Sequence, residues 1–232
     1  MGRSAAQAAA RASRLVVFDF DGTLADTWRD LARALNETLA DAGLPPVSGP
    51  EVKTWIGDGA LKLLSRALPP GEQVGGRLEL HFERFRGHYE RCCLDTTELY
   101  PGVEACLDAL AGEAALAVLS NKPSRFLDRI VEGLDIGKRF FAIVGGDTLG
   151  VTKPDPDALR LLVARLDASP RAIWMVGDSA IDIETGRAAG AHTIGCAWGL
   201  RGVDELREAG ADALAETPGQ IPALVLTGPA AG

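Results

Sequence analysis

The sequence predicts an α/β fold, a parallel sheet with an all-helical insert after its first strand, and three observations predict it. Leu15 to Phe18 form a short apolar run of the kind buried on both faces in parallel sheets. Beyond about residue 99, apolar strand-like segments alternate with helical patterns, as strand–helix–strand units require. Residues 25–98 break that alternation, because they hold helical patterns with no convincing strand between them.

The first strand, Leu15 to Phe18, runs into Asp19-Phe20-Asp21-Gly22, where Gly22 lets the backbone turn sharply. Thr27 or Asp26 caps a helix whose Trp28, Leu31, Leu35 and Leu39 form one apolar stripe, closing near Gly43 and Pro45-Pro46. Leu61, Leu64 and Leu68 suggest a second helix ended by Pro69-Pro70-Gly71, and Leu78, Phe82, Phe85 and Tyr89 lie along a third. The following strands are Ala114 to Leu119, Phe141 to Val144, Ala172 to Val176 and His192 to Ala197. Helices over Val103 to Ala111, Ser124 to Leu134, Asp155 to Leu166 and Ile181 to Ala189 separate them, with Pro101-Gly102, Gly145-Gly146 and Gly190 as punctuation. A weaker last pair, Asp212 to Ala215 and Gly219 to Leu226, extends the sheet in this reading. The division is a core of residues 14–24 and 99–226, a helical cap of residues 25–98, and flexible tails at 1–13 and 227–232. The insert either caps the crevice at the strand ends or covers one face of the sheet.

A chain of 232 residues, 47% hydrophobic and 24% charged, suits a globular protein with one large core, or a core and a smaller inserted domain. Its formal charge of -8 argues against nucleic-acid and anionic-membrane partners, so an anionic ligand needs a local positive pocket. Cys92, Cys93, Cys106 and Cys196 lack C-x-x-C spacing and read as buried thiols of a reducing, cytoplasmic compartment. His81, His88 and His192 are scattered, which disfavours a histidine metal cluster or triad. No apolar run reaches the length of a membrane span. Met1 to Ser13 is Ala-rich without an apolar stretch, and reads as a frayed tail or short helix rather than a signal peptide.

Chemistry is concentrated at the predicted strand ends, where open α/β sheets bind ligands. Asp19 and Asp21, two residues apart, suit covalent attack by one carboxylate and proton transfer by the other; the alternative is a turn with an Asp cap. Leu119-Ser120-Asn121-Lys122-Pro123 offers a hydroxyl and backbone N–H groups at a helix start for phosphate oxygens, or a plain Ser N-cap. Lys153, just before Pro154-Asp155-Pro156, carries a compact ammonium able to neutralise both a carboxylate and a phosphoryl group. Gly177-Asp178 with Asp182 four residues on puts two carboxylates within one helical turn, fit to share a hard cation such as Mg²⁺ and its waters. A phosphate dianion meeting such acids faces repulsion of about 1 to 4 kcal/mol per close pair, which a divalent cation and Lys153 reverse.

These four motifs, in order, resemble those of the haloacid dehalogenase-like hydrolase superfamily over nearly the whole chain. The resemblance implies a Rossmann-like, three-layer α/β/α core and a helical cap that opens and closes. It implies Asp19 as nucleophile, passing through a phosphoaspartyl intermediate, Asp21 as general acid/base, and Lys153 as the balancing cation. Mg²⁺ is then held by the Asp19 carboxylate, the Asp21 backbone carbonyl and Asp178, with Asp182 in support. Gly22, Ser120 and Asn121 fall on the phosphate-binding positions. An acid at Asp21 is absent from the superfamily's dehalogenases, and Thr23 is typical of its phosphatases rather than its sugar phosphomutases.

Several stretches are similar to the bacterial phosphoglycolate phosphatases of that superfamily: Thr54-Trp55-Ile56-Gly57-Asp58-Gly59-Ala60, Leu99-Tyr100-Pro101-Gly102-Val103, Ser120-Asn121-Lys122-Pro123 and Val144-Gly145-Gly146-Asp147. Gly57 and Asp58 would then border the substrate, although Asp58 stands where that group commonly has Asn. The expected ligand is a small phosphorylated metabolite, foremost 2-phosphoglycolate, whose carboxylate would meet Lys53, Lys62 or Lys122. A sugar-phosphate phosphatase or phosphomutase, and a non-catalytic binding module, are the alternatives. Trp55 lines the pocket or fills the cap, and the chain is expected as a monomer or homodimer.

Overall fold

The computed structural model of the chain describes residues 13–166, 170 and 172–228; most of both expected tails, 1–12 and 229–232, lies outside the described residues. Six parallel strands make the core sheet: β1 (Arg14–Phe18), β4 (Ala115–Leu119), β5 (Ala142–Val144), β6 (Ala172–Gly177), β7 (His192–Cys196) and β8 (Ala213–Ala215). Their order is β5-β4-β1-β6-β7-β8. Counted along the core this is 3-2-1-4-5-6, the Rossmann order, whose switch point lies at the carboxyl end of β1.

The apolar run of β1 is central because it is buried twice. Leu15 and Val17 join Ala115, Ala117 and Met175 on one face, while Val16 and Phe18 join Leu116, Val118 and Val176 on the other. Burial of each large side chain contributes roughly 1.5–3 kcal/mol, so the strand is fixed in register beneath the site. The first face is covered by α7 (Pro156–Val163) through Leu159 and Leu162, and α8 (Ala180–Ala189) packs beside it on β6 and β7. On the second face lie α5 (Val103–Leu110) and α6 (Ser124–Gly133), contributing Leu107, Phe126 and Ile130.

The helical insert holds α1 (Trp28–Asp41), α2 (Gly49–Trp55), α3 (Ala60–Ala67) and α4 (Arg77–Cys92). Its root is a two-stranded antiparallel ribbon, β2 (Ala25–Asp26) on β3 (Glu98–Leu99), too short for any periodicity to reveal. Beside the ribbon, the buried Asp30 accepts bonds from the backbone N–H and hydroxyl groups of both Thr96 and Thr97, at 2.6–3.1 Å. Helix α2 was not predicted; it starts at Ser48-Gly49-Pro50-Glu51, which forms a capping box: Glu51 N–H donates to the Ser48 hydroxyl and Ser48 N–H to the Glu51 carboxylate.

One predicted strand is wrong. Residues Gly219 to Leu226 do not extend the sheet; a 3₁₀ turn at Pro218–Gln220 leads into α10 (Ile221–Thr227). A run of six to eight apolar residues fits a strand or a buried helix alike. Here Ile221 and Val225, four apart, bury one helical face that packs on α5, and Thr227 closes the helix rather than opening a tail. The short α9 (Val203–Glu208) between β7 and β8 is a further helix that periodicity missed, since only its Leu206 is buried. All four cysteines are free and buried, as expected. Among the described residues, no helix is long and apolar enough to cross a membrane.

Candidate active site

Asp19 leaves β1 at the switch point, its N–H still donating to the Val176 carbonyl at 2.8 Å. The Phe20 carbonyl then accepts from Thr23, Leu24 and Ala25, closing a turn that requires φ 85° at Gly22. Gly22 is also needed for space, because a Cβ there would strike the Asp178 carboxylate. Gly199, after β7, meets Asp178 from the other side with the same restriction, and Leu200 N–H donates to Asp178 Oδ2 at 2.7 Å. Asp178 therefore sits in a slot walled by two stretches of bare main chain.

Three carboxylates converge at these strand ends: one oxygen each of Asp19, Asp178 and Asp182 lie within 4.8 Å of one another. Lys153 Nζ reaches Asp19 at 2.8 Å and Asp182 at 2.6 Å. Asp182 is further held by Ser179, whose hydroxyl donates to its Oδ2 at 2.7 Å, so the acid serves α8 as half of a capping box as well. Burial pushes the Asp19 carboxyl up to about 6 against the pull of Lys153, and Asp182 and Asp21 add to the rise. Burial also lifts Asp178 well above the carboxylate range, with the charges of Asp182 and Asp19 next in weight. Although burial works against a charged lysine, Asp182 and Asp19 hold Lys153 above its ordinary value. Burial leads both carboxylate shifts, and the neighbouring buried carboxylates push all three groups upward.

The buried charges can be counted. Asp19, Asp21, Asp178 and Asp182 are buried with only Lys122 and Lys153 beside them, leaving two more carboxylates than ammonium groups. A divalent cation with oxygen ligands matches both the charge and the donor type. Asp21 gives no carboxylate to the cluster, so any part it has in holding metal falls to its main chain.

The Asp21 side chain faces a second wall. Its two oxygens accept from Lys122 Nζ at 2.9 and 3.0 Å, and Oδ1 accepts from Thr27 at 2.6 Å. Thr27 does occupy the N-cap position of α1, but its hydroxyl makes no cap bond and donates to Asp21. Ser120 lines the same cavity as Asp19 and Asp21. The Asn121 carboxamide is spent structurally, donating to the carbonyls of Gly57 at 3.0 Å and Lys153 at 2.9 Å and accepting from Lys153 N–H. Any anion contact by Asn121 thus falls to its backbone. Gly146 N–H donates to the Lys122 carbonyl at 2.9 Å, and a Cβ on Gly145 or Gly146 would strike this loop.

The loop between α2 and α3 roofs the cavity. Gly57 and Gly59, at φ 114° and 92°, turn it down against Asn121, and both line the cavity. Asp58 is turned outward and paired with Arg66, so its charge is answered within the insert. Trp55 packs against the apolar cluster and does not line the cavity. The space beneath the loop is about 30 Å³, room for a water or two. A wider groove of about 580 Å³ adjoins it, bordered by Lys62, Arg86 and Arg125.

Sequence reasoning missed Gly199, Leu200, Thr27 and Tyr89 as parts of this site. Gly199 and Leu200 carried no motif, while Thr27 and Tyr89 carried signals that read equally as a helix cap and a core aromatic.

A family model described as haloacid dehalogenase-like hydrolase matches residues 16–196. The chain is 38% identical over 192 residues to the phosphoglycolate phosphatase of Yersinia pseudotuberculosis, covering 82% of this chain and 83% of that one. Against the Haemophilus influenzae phosphoglycolate phosphatase the figures are 34% over 206 residues, 86% and 92%. The crystal structure of a predicted phosphoglycolate phosphatase from Haemophilus somnus superposes with a TM-score of 0.84 at 30% identity, over 90% of this chain and 96% of that one.

Proposed function

Because the chain belongs to the haloacid dehalogenase-like hydrolase family, we propose that it hydrolyses a small phosphate monoester, 2-phosphoglycolate foremost, with Mg²⁺ bound. The observation that carries this reading is the buried Asp19 carboxylate at the switch point, flanked by Lys153 at 2.8 Å and by Asp178 and Asp182. A binding module has no use for that concentration of like charge, whereas phosphoryl transfer needs a nucleophile and a cation in one place. The relatives named phosphoglycolate phosphatase support the substrate class.

In this reading Asp19, Asp178 and the Asp21 main chain hold Mg²⁺, with Asp182 behind them. Bound Mg²⁺ neutralises phosphoryl oxygens against the surrounding carboxylates. Ser120 donates to the phosphoryl group, and Lys153 balances it while keeping Asp19 aimed. Asp19 attacks phosphorus, forming a phosphoaspartyl group as the P–O bond to the alcohol breaks. Asp21, on the opposite wall, must take up a proton before the ester reacts; it gives that proton to the departing alkoxide and then takes one from the water that hydrolyses the aspartyl phosphate. Residues 25–98 act as a cap that must part from the core to admit the ester, hinging at the β2–β3 ribbon.

The test is phosphate release with Mg²⁺ from 2-phosphoglycolate, sugar phosphates, nucleotides and pyrophosphate, with Asp19→Asn as the blank. A hundredfold lead in kcat/KM for 2-phosphoglycolate, on the order of 3 kcal/mol, is expected. Turnover no faster than that of the blank would overturn the enzyme reading, and a lead by another ester would overturn the substrate.

A further inference from the structure

Opposite Asp19, the second wall of the cavity holds the Lys122 ammonium and Tyr89. Lys122 follows Ser120 on the loop after β4, and its ammonium is buried, 4.8 Å above the ring centre of Tyr89. Tyr89 comes from α4 of the insert, wedged between Phe85 and Phe126, and is 1% exposed. Its hydroxyl has no hydrogen-bond partner among the described residues. A buried phenol normally finds one, so a donor left idle on a cavity wall points to a ligand that supplies the acceptor.

The remaining cations near the site are committed elsewhere. Lys53 lies over the Trp28 ring at 4.3 Å, Arg66 is paired with Asp58, and Arg125 with Glu90. Lys62 is exposed and borders only the outer groove. Lys122 alone among Lys53, Lys62 and Lys122 enters the cavity with Asp19. Besides Asp21 and Ser120, the wall around it is apolar, formed by Leu31, Ile56, Leu63 and Phe126. Apolar surroundings of this kind strengthen an ion pair with an arriving anion.

We propose that Lys122 and Tyr89 form the subsite for the far end of the substrate and that it takes a carboxylate. Resting on the phosphatase reading, this makes the enzyme one for short phosphorylated acids. The ammonium turns from Asp21 toward the carboxylate, the Tyr89 hydroxyl donates to it, and the apolar wall limits its length. Because Lys122 belongs to the core and Tyr89 to the insert, a carboxylate bound between them also ties the insert shut.

The experiment compares 2-phosphoglycolate with ethyl phosphate, which replaces the carboxylate by a methyl group. Binding is measured by calorimetry in Mg²⁺ on the Asp19→Asn protein, alone and combined with Lys122→Met or Tyr89→Phe, and kcat/KM is measured on each variant with Asp19 intact. The expected result is a preference for the acid of about a hundredfold, lost to within a few-fold in Lys122→Met and reduced about tenfold in Tyr89→Phe, whatever the absolute rates. A residue that only positions Asp21 would slow both esters equally and leave the preference intact, which overturns the proposal. Should Lys122→Met fail to fold, an unchanged preference in Tyr89→Phe overturns it as well. Absence of phosphate release from either ester, with the binding preference and its loss still present, sinks the phosphatase reading and leaves the subsite standing.

Discussion

Asp30 and Asp178 are both carboxylates buried to a few per cent, and the molecule treats them in opposite ways. Asp30, at the root of the insert, accepts from two backbone N–H groups and two hydroxyls of Thr96 and Thr97 and has no buried acid crowding it. Asp178 has one strong donor, Leu200 N–H, and stands against Asp19 and Asp182 in a slot between two glycines. The first arrangement compensates desolvation and so joins two chain segments. The second leaves desolvation uncompensated, which folding alone would not favour. An acid that destabilises its own apo protein is kept for what it binds.

The contrast predicts opposite outcomes for the same chemical change. Asp178→Asn should remove nearly all Mg²⁺-dependent turnover, by at least about a thousandfold, while raising the Tm of metal-free protein. Wild type should gain about 2.7 kcal/mol of stability at Mg²⁺ a hundredfold above its Kd, lost on chelation, and Asp178→Asn should gain almost none. Asp30→Asn should do the reverse, losing about 3 kcal/mol, or roughly 6–12 °C in a chain of this size, with kcat within twofold of wild type. Thermal melts with and without chelator decide it. If Asp178→Asn lowers the metal-free Tm as Asp30→Asn does, the distinction between the two acids collapses.

A finer cut tests the slot rather than the charge. Gly199→Ala keeps every carboxylate but forces a methyl into Asp178, so kcat/KM should fall about 10- to 100-fold, in line with roughly 1–3 kcal/mol of overpacking. Gly202→Ala, three residues away with open space at its Cβ, should stay within about 0.5 kcal/mol of wild type. Equal effects at both positions would mean that the loop responds to side chains in general and that the walls of the slot are unimportant.

The first of the two acids was not singled out by the sequence, the second was part of a motif, and the difference has a physical basis. Motifs at strand ends are local: Asp19, Ser120 and Asp178 each follow an apolar run that fixes a strand, Lys153 lies on the loop after β5, and the parallel sheet brings those ends together without further instruction. Many of the partners that tune the buried groups arrive from far along the chain, as Thr96 does for Asp30 from 66 residues away and Trp198 for the Thr23 carbonyl from 175, and no spacing rule marks them. Helix α10 was misread for a related reason, since Ile221 and Val225 suit a strand or a helix until α5 is there to receive them. Tyr89 shows the limit most plainly. Its place in the apolar stripe of α4 predicted burial correctly, but an idle hydroxyl on a residue lining the candidate site is a property of two segments at once.

The smallest expected effect concerns Asp58, whose acidity beside an anionic substrate looks unfavourable until Arg66 is seen to pair with it. The pair is partly exposed, and such pairs couple by about 0.2–1 kcal/mol. Removing Arg66 leaves a bare negative charge on the loop that roofs the cavity, so Arg66→Ala should raise KM for 2-phosphoglycolate about two- to fivefold. Asp58→Asn leaves the positive charge in place and should lower KM by a similar factor. Ethyl phosphate, with less charge to feel, should move less in both variants. The two signs are the useful part of this test: if both substitutions raise KM together, the pair holds the Gly57–Gly59 turn in shape and its charge does not reach the substrate.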